Sequence, residues 1–184
     1  MRSMERRGGL TYADLEAFPE DEFRREIIDG ELVVSPSPGR RHQEIVQRLG
    51  IPLILHAQQH DLGDVFLVDI DVILDVHQVF IPDVLFVAKE RSGLWTEKNL
   101  QGAPSLAVEV LSNARRDRII KRQRYERYGV PEYWIVDPEA DRVEVYRLED
   151  GRYGKPEILE PGDTLSTPQL PGLEIDLADL FRVD

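Results

Sequence analysis

The chain has 184 residues, no cysteine and a formal net charge of −12. Its length suits one folded domain, and the lack of cysteine excludes disulfides, thiolate zinc sites and cysteine nucleophiles. No apolar run approaches the roughly 20 residues that span a bilayer, and no apolar segment follows the charged start, so we expect a cytoplasmic protein without a signal peptide. So acidic a chain is not expected to bind nucleic acid tightly and nonspecifically as a monomer.

The charge is distributed unevenly along the chain. Residues 132–184 carry 14 acidic and 5 basic residues. Residues 113–128 instead carry seven basic residues against only Asp117 and Glu126. The sequence therefore predicts a locally basic helix within an acidic protein.

The first part of the chain predicts a short helix, a hairpin and a long helix. Residues 1–9 are predicted to form a flexible N-terminus, and residues 10–184 a single domain. Thr11 is suited to cap a short helix, and the dipeptide Asp29-Gly30 favours a two-residue hairpin turn between strands within 25–34. Apolar spacing predicts a helix over 41–60, and Pro52 should kink or split it.

The rest of the chain is mainly a β region interrupted by the basic helix. Strands are predicted at 65–68, 70–74 and 79–87, with Pro82 marking an edge or a bulge, and residues 105–111 are apolar enough for a central strand. Ser112 or Asn113 is expected to cap the basic helix, and Gly129 to end it. Strands at 132–137 and 142–148 form a hairpin, and short strands follow. This order predicts an α/β (α+β) fold, a mixed β-sheet flanked by helices.

Two acidic residues interrupt apolar strands. Asp83 lies within 79–87, and Glu109 lies within 106–111. Because a buried carboxylate needs a cation or several hydrogen bonds, two such acids on neighbouring strands would form an oxygen site suited to Mg²⁺ or Mn²⁺. The alternative is that each acid caps a strand end or pairs with an arginine.

The basic helix carries charged residues on the face that should point inward. With about 100° per residue, Asp117, Lys121 and Arg124 share one stripe with Ile120 and Tyr128. Lys121 can reach back toward the two carboxylates, and Asp117 and Arg124 would serve packing or support the site. The alternative is a solvated basic helix.

Several segments together resemble the Uma2 family of restriction-endonuclease-like proteins. The resemblance covers about residues 10–181 in order, with similar spacing. The segments that carry it are 23–34, 35–43, Pro82-Asp-Val-Leu-Phe-Val87, Val108-Glu-Val-Leu-Ser112, Arg116-Asp-Arg-Ile-Ile-Lys121 and Gly129-Val-Pro-Glu-Tyr-Trp-Ile-Val-Asp-Pro138.

The resemblance implies a PD-(D/E)xK nuclease fold, with an αβββαβ core followed here by C-terminal β-hairpins, and hydrolysis of phosphodiester bonds with Mg²⁺ or Mn²⁺. Asp83 and Glu109 match the motif acids and, with the main-chain carbonyl of Val110, would hold the ion. Glu26 matches a further acid, a ligand directly or through water. In the wider superfamily a lysine stands two residues after the second acid, but Leu111 occupies that position, and Uma2-like sequences place the lysine on the following helix. Lys121 is therefore the implied catalytic lysine.

Other candidates and functions remain open at this point. His42 matches a family histidine and would contact phosphate or Glu26, although a lone histidine is more often a cap or a core hydrogen-bonding residue. The implied function is an endonuclease acting on DNA, working as a homodimer. The alternatives are a catalytically inactive nuclease-fold module that acts in dimerisation or partner binding, and a hydrolase of another phosphate ester.

Overall fold

A computed structural model describes residues 9–19, 23–67 and 70–183, so residues 1–8 of the predicted flexible N-terminus lie outside the described part. The helices are α1 (Tyr12–Leu15), α2 (Arg40–Gln59), a 3₁₀ helix (Lys89–Leu94), a π-helix (Arg116–Lys121), α3 (Arg122–Arg127) and α4 (Leu177–Phe181). The strands are β1 (Arg24–Ile28), β2 (Glu31–Ser35), β3 (Gly63–Phe66), β4 (Val72–Asp75), β5 (Gln78–Phe80), β6 (Val84–Ala88), β7 (Leu100–Gln101), β8 (Leu106–Val110), β9 (Glu132–Asp137), β10 (Arg142–Glu149), β11 (Arg152–Tyr153), β12 (Glu157–Leu159), β13 (Thr164–Leu165) and β14 (Ile175–Asp176).

The larger sheet has the strand order β11-β10-β9-β8-β6-β3, with β12 also pairing with β10. Strands β8 and β9 are parallel, and the other neighbours in this sheet are antiparallel. The π-helix and α3 make the crossover that parallel neighbours require. The series α2, β3, β6, β8, crossover helix and β9 is the predicted αβββαβ core, and the hairpin strands β10 to β12 extend it. The predicted mixed sheet flanked by helices is confirmed.

A second sheet, in the order β2-β1-β5-β4-β7, lies beside the first. The predicted hairpin forms its edge: Asp29 and Gly30 have φ of +54° and +78° between β1 and β2. The backbone of Gly9 also passes close to Gly30. A Cβ at position 30 would lie 2.9 Å from Cα of Gly9, so a glycine is required there.

The apolar run 79–87 is not one strand as the sequence predicted. It is divided into β5 in the smaller sheet and β6 in the larger one, separated by Ile81, Pro82 and Asp83. Proline has no N–H for a strand ladder, and the chain passes from one sheet to the other at this point. Asp83 therefore lies at the junction of the two sheets instead of inside a strand.

Helix α2 covers one face of the larger sheet, and the helix after β8 covers the other. The residues of α2 that pack into the core are Ile45, Val46, Leu49, Leu53 and Ala57. Pro52 lies within α2 without splitting it. Because successive strand residues point to opposite faces, Val108 and Trp134 join the α2 core, while Ala107 and Tyr133 pack with Tyr125 of α3. Glu109 consequently points toward the helix after β8.

Candidate active site

Glu109 is held from the helix that packs on its face of the sheet. Nζ of Lys121 donates a hydrogen bond of 2.8 Å to Oε1 of Glu109, and the hydroxyl of Tyr125 donates one of 3.2 Å to the same oxygen. All three residues are buried. Since neither contact uses Oε2, that oxygen has no hydrogen bond from any described residue.

Lys121 also contacts the smaller sheet. Its Nζ lies 2.7 Å from Oε1 of Glu26 on β1, and the same Oε1 accepts a hydrogen bond of 2.9 Å from the main-chain N–H of Ile81. Lys121 is 1% exposed. A single buried ammonium group thus bridges one carboxylate from each sheet.

The π-helix gives the buried residues of this segment a spacing of four. Asp117, Lys121 and Tyr125 all point inward and are almost fully buried, while Ile119 is exposed. The helical residues of this segment begin at 114, two residues before the π-helix, and the side chain of Asn113 ahead of them accepts a hydrogen bond of 3.0 Å from the N–H of Arg116, the contact expected of a capping residue. Single π-helical turns are frequent at functional sites.

Asp83 is bound by groups from three elements. Its Oδ1 accepts a hydrogen bond of 2.7 Å from Nη1 of Arg24. Its Oδ2 accepts one of 2.8 Å from the N–H of Val110 and lies 3.2 Å from Nε2 of His42. Although burial opposes ionisation, the hydrogen bond with His42 and the charge of Arg24 lower the pKa of Asp83 to about 2, so the carboxylate is ionised.

Val110 presents its main chain to Asp83. The N–H and C=O of one strand residue lie on the same side of the strand. Leu111 uses its N–H to bond the carbonyl of Val136 on β9, whereas the N–H of Val110 bonds Asp83 on the opposite side. The carbonyl of Val110 is therefore directed toward the Asp83 side of β8.

The buried charges of the site influence one another. Burial raises the pKa of Glu109 to about 8, and Asp83 and Glu26 act in the same direction against the opposing charge of Lys121. The carboxylates of Glu109 and Glu26 outweigh burial at Lys121 and raise the pKa of its amine. Lys121 therefore stays charged, and Glu109 keeps its proton to a higher pH than an ordinary carboxylic acid does.

The residues surround one cavity of about 200 Å³. The segment 35–39 and Arg116 complete its wall. The charged and histidine side chains that line it are Arg24, Glu26, His42, Asp83, Glu109, Arg116 and Lys121. The structure thus brings Asp83, Glu109, Lys121, Glu26 and His42, the candidates from the sequence, to one cavity.

The donor types at this cavity suit a hard divalent cation. Glu109 and Glu26 each have one carboxylate oxygen without a hydrogen bond from the described residues, and the carbonyl of Val110 faces the same region. Within the described part of the chain, however, no three acidic or histidine side chains are gathered as a ready metal cluster. Both oxygens of Asp83 are already bound by Arg24, Val110 and His42. The residues fit a cation if Asp83 exchanges one of these partners.

Arg124 and Asp117, which the sequence suggested as supporting residues, form no hydrogen bond or ion pair with the carboxylates of Asp83, Glu109 or Glu26 in the described part of the chain. Arg124 does not line the cavity; its guanidinium forms hydrogen bonds of 2.8 and 2.6 Å with Asp29 in the hairpin turn. Asp117 is buried but bonds within its own helix, accepting from the N–H of Asn113 and Nε of Arg116, both at 3.3 Å. Both residues position the helix that carries Lys121. His42 contacts Asp83, not Glu26.

The sequence reasoning missed Arg24. Residues 24, 26 and 28 share one face of β1 because strand side chains alternate. Once Glu26 had been selected, that period would have identified Arg24 as its neighbour on the same face. Tyr125 is a second residue of the site without a chemical signal in the sequence: it is buried in α3, and its hydroxyl contacts Glu109.

The basic helix is less positive than its sequence indicates. Four of its seven basic residues form ion pairs: Arg116 with Asp117, Arg118 with Asp137 and Glu144, Lys121 with Glu26 and Glu109, and Arg124 with Asp29. The helix therefore does not present a broad basic surface.

Among the described helices, none combines the length and apolar character needed to cross a membrane.

The comparisons with known proteins agree with this fold. The model of the Uma2 family, described as "Putative restriction endonuclease", matches residues 11–178. The fold is similar to a crystal structure from Anabaena variabilis described as a "putative nuclease belonging to DUF820", with a TM-score of 0.79 and 20% sequence identity over 94% of this chain and 97% of that chain. No curated protein matches.

Proposed function

The chain belongs to the Uma2 family, and we propose that it is a divalent-metal-dependent endonuclease that hydrolyses phosphodiester bonds in DNA. The observation that carries this proposal is the cavity shared by Asp83, Glu109, Glu26 and Lys121. Glu109 and Glu26 share the buried ammonium group of Lys121, Asp83 is buried beside them, and the desolvation of so many charges is a cost that a function would justify. Residues 10–184 would form a single domain of this nuclease fold.

The proposed roles follow from the contacts of each residue. Asp83, Glu109 and the Val110 carbonyl would hold Mg²⁺ or Mn²⁺, with Glu26 as a further ligand directly or through water. When bound, the cation supplies charge neutralisation for the phosphodiester and promotes ionisation of water. Lys121 is fixed between two carboxylates, so its ammonium group would orient the attacking water or stabilise the charge that develops on the nonbridging oxygens. Tyr125 would keep the Glu109 carboxylate oriented.

DNA as substrate and a homodimer as the active form are further parts of the proposal. A two-fold pair of sites can address both strands of a duplex, and two-fold dimers are the commonest oligomers. Pairing would also bring to one duplex, from both copies, the three basic residues of this helix that lie outside its ion pairs: Arg115, Arg122 and Arg127.

One observation favours a second candidate function, a catalytically inactive module used for dimerisation or partner binding. Arg24, His42 and the Val110 N–H already bind both oxygens of Asp83. An inactive protein could use these contacts to stabilise the junction between its two sheets without any cation.

A cleavage assay separates the two functions. The wild type, Glu109→Gln and the control Glu149→Gln, whose residue is exposed, are each incubated with plasmid DNA, a single-stranded RNA and a chromogenic phosphodiester. Each reaction is run with Mn²⁺, with Mg²⁺ and with EDTA. We expect cleavage of plasmid DNA with either ion that Glu109→Gln loses and Glu149→Gln retains. No cleavage of any substrate would favour the inactive module, and cleavage of only the small diester would identify another phosphate-ester hydrolase. Wild-type cleavage by Glu109→Gln would refute the site.

A further inference from the structure

Arg24 is the arginine that contacts the Asp83 carboxylate. Its Nη1 lies 2.7 Å from Oδ1 of Asp83, and its Nη2 donates a hydrogen bond to the carbonyl of Ile81. The side chain is only 19% exposed. The charges of Asp83, Glu109 and Glu26 together raise the pKa of the guanidinium against the effect of burial, so Arg24 is a permanent positive charge among these acids.

A divalent cation and Arg24 would compete for Asp83. A guanidinium beside Asp83 repels an incoming cation, and this repulsion is strong in a poorly solvated site. Arg24 also covers Oδ1, while Val110 and His42 cover Oδ2. Binding of a cation therefore becomes more favourable if Arg24 can leave Asp83 for another anion.

A place for that anion lies next to Arg24. A second cavity of about 140 Å³ is lined by Arg24, Ser37, His42 and Asp83 together with residues that carry no charge. Asp83 is the only acidic residue among those lining it. Arginine binds phosphate through two parallel hydrogen bonds, so a phosphate group in this cavity would offer Arg24 a partner equivalent to a carboxylate.

We propose that Arg24 exchanges partners: it neutralises Asp83 in the metal-free protein and turns to a backbone phosphate of the nucleic acid when a divalent cation binds Asp83. This inference rests on the proposed function and specifies how its site is regulated. The exchange makes cation and nucleic acid bind cooperatively, and such coupling is reciprocal. Arg24 is a positioning residue for Asp83 before it becomes a phosphate ligand.

The first test measures cation affinity without nucleic acid. EDTA-stripped wild type, Arg24→Gln and Arg24→Lys are titrated with Mn²⁺ in a calorimeter. Arg91→Gln is the matched control, because Arg91 bonds the carbonyl of Ala103 and, among the described residues, lines neither cavity. Removing the positive charge should tighten Mn²⁺ binding about tenfold or more in Arg24→Gln, while Arg24→Lys and Arg91→Gln stay near wild type. Unchanged or weaker binding by a folded Arg24→Gln would overturn the proposal.

The second test measures nucleic-acid affinity without the cation. A duplex oligonucleotide is titrated in EDTA with wild type, Asp83→Asn and the double variant Asp83→Asn/Arg24→Gln. Asp83→Asn removes the carboxylate that Arg24 contacts, so this variant should bind the oligonucleotide about tenfold more tightly, and the double variant should lose that gain. If the double variant kept the gain, the cause would be the removed negative charge alone, and the exchange would be wrong. If Arg24→Gln alone does not fold, the oligonucleotide affinity of Asp83→Asn still tests the exchange: affinity no higher than that of wild type would overturn it.

The outcomes also separate this inference from the proposed function. Metal-dependent cleavage together with wild-type Mn²⁺ affinity in Arg24→Gln would refute the exchange and leave the nuclease intact. If neither wild type nor Arg24→Gln bound Mn²⁺, with or without oligonucleotide, both the partner exchange of Arg24 and the metal-dependent nuclease function would be refuted.

Discussion

Lys121 donates a hydrogen bond of 2.8 Å to Glu109 within the protein interior, although the two residues belong to different elements. The contact joins the helix after β8 to the strand itself, and the same ammonium group continues to Glu26 in the second sheet. The candidate active site is therefore also a structural junction, and changes in it should affect stability as well as activity.

Replacing Lys121 should reveal both effects. In Lys121→Met the carboxylates of Glu109 and Glu26 lose their shared cation, and removal of one partner from a buried ion pair costs about 3–5 kcal/mol of unfolding free energy. Mn²⁺ should then raise the melting temperature of Lys121→Met by more than it raises that of wild type, because the cation replaces the missing charge.

Thermal unfolding with and without Mn²⁺ measures this difference. Lys155→Met serves as the control, since Lys155 is exposed and lines no part of the cavity. An equal Mn²⁺-dependent shift in Lys121→Met and wild type would argue against a cation site beside Lys121.

The stability of the metal-free protein should depend on the protonation of Glu109. Burial raises the pKa of this group from its ordinary 4.5 to about 8, so the folded protein retains a proton that the unfolded chain loses. The unfolding free energy of wild type should therefore fall as the pH rises from 4.5 to 8. The pKa of Asp83 is lowered to about 2, so Asp83 does not titrate in this window.

Urea denaturation in EDTA across this range, on wild type and Glu109→Gln, measures the effect. The variant has no titrating group at this position, and its stability should decline less with rising pH. Parallel pH dependences in the two proteins would show that Glu109 is already ionised at the lower end of the range.

Part of this site could be predicted from the sequence, because some of its residues are recognisable from their immediate neighbours in the chain. The dipeptide Asp29-Gly30 specifies its hairpin turn directly, and the carboxylate of Glu109 within an apolar strand has no local explanation other than a function or a buried partner. The partners themselves come from elsewhere in the chain. Arg24 contacts Asp83 across 59 residues of sequence. Strand alternation can place Arg24 on the same face as Glu26, but it cannot identify Asp83 as the partner of Arg24.

The strand over 79–87 was mispredicted for a related reason. Apolar periodicity cannot distinguish one long strand from two strands in different sheets, and Pro82 by itself predicts only an edge position or a bulge. Likewise, Arg124 was placed on the inward stripe by ideal α-helical spacing. The π-helix before it and the carboxylate of Asp29 instead direct Arg124 to the hairpin turn.

The ion pair between Arg124 and Asp29 should matter little to the active site. Its side chains are 22% and 47% exposed, and such pairs contribute about 1 kcal/mol or less. Arg124→Gln should lower the unfolding free energy by no more than that, and leave the Mn²⁺ affinity and the cleavage rate near wild type. Urea denaturation and Mn²⁺ titration check both statements; a large loss of Mn²⁺ affinity would restore Arg124 to the site.

The central claim is that Asp83 and Glu109 hold a divalent cation. The most direct measurement is a calorimetric titration of Mn²⁺ into EDTA-stripped protein with an uncleavable oligonucleotide present, comparing wild type, Asp83→Ala and the control Asp179→Asn, whose residue is exposed on α4. The account predicts saturable binding by wild type and Asp179→Asn that Asp83→Ala loses. Equal binding by Asp83→Ala, or no binding by wild type, would contradict it.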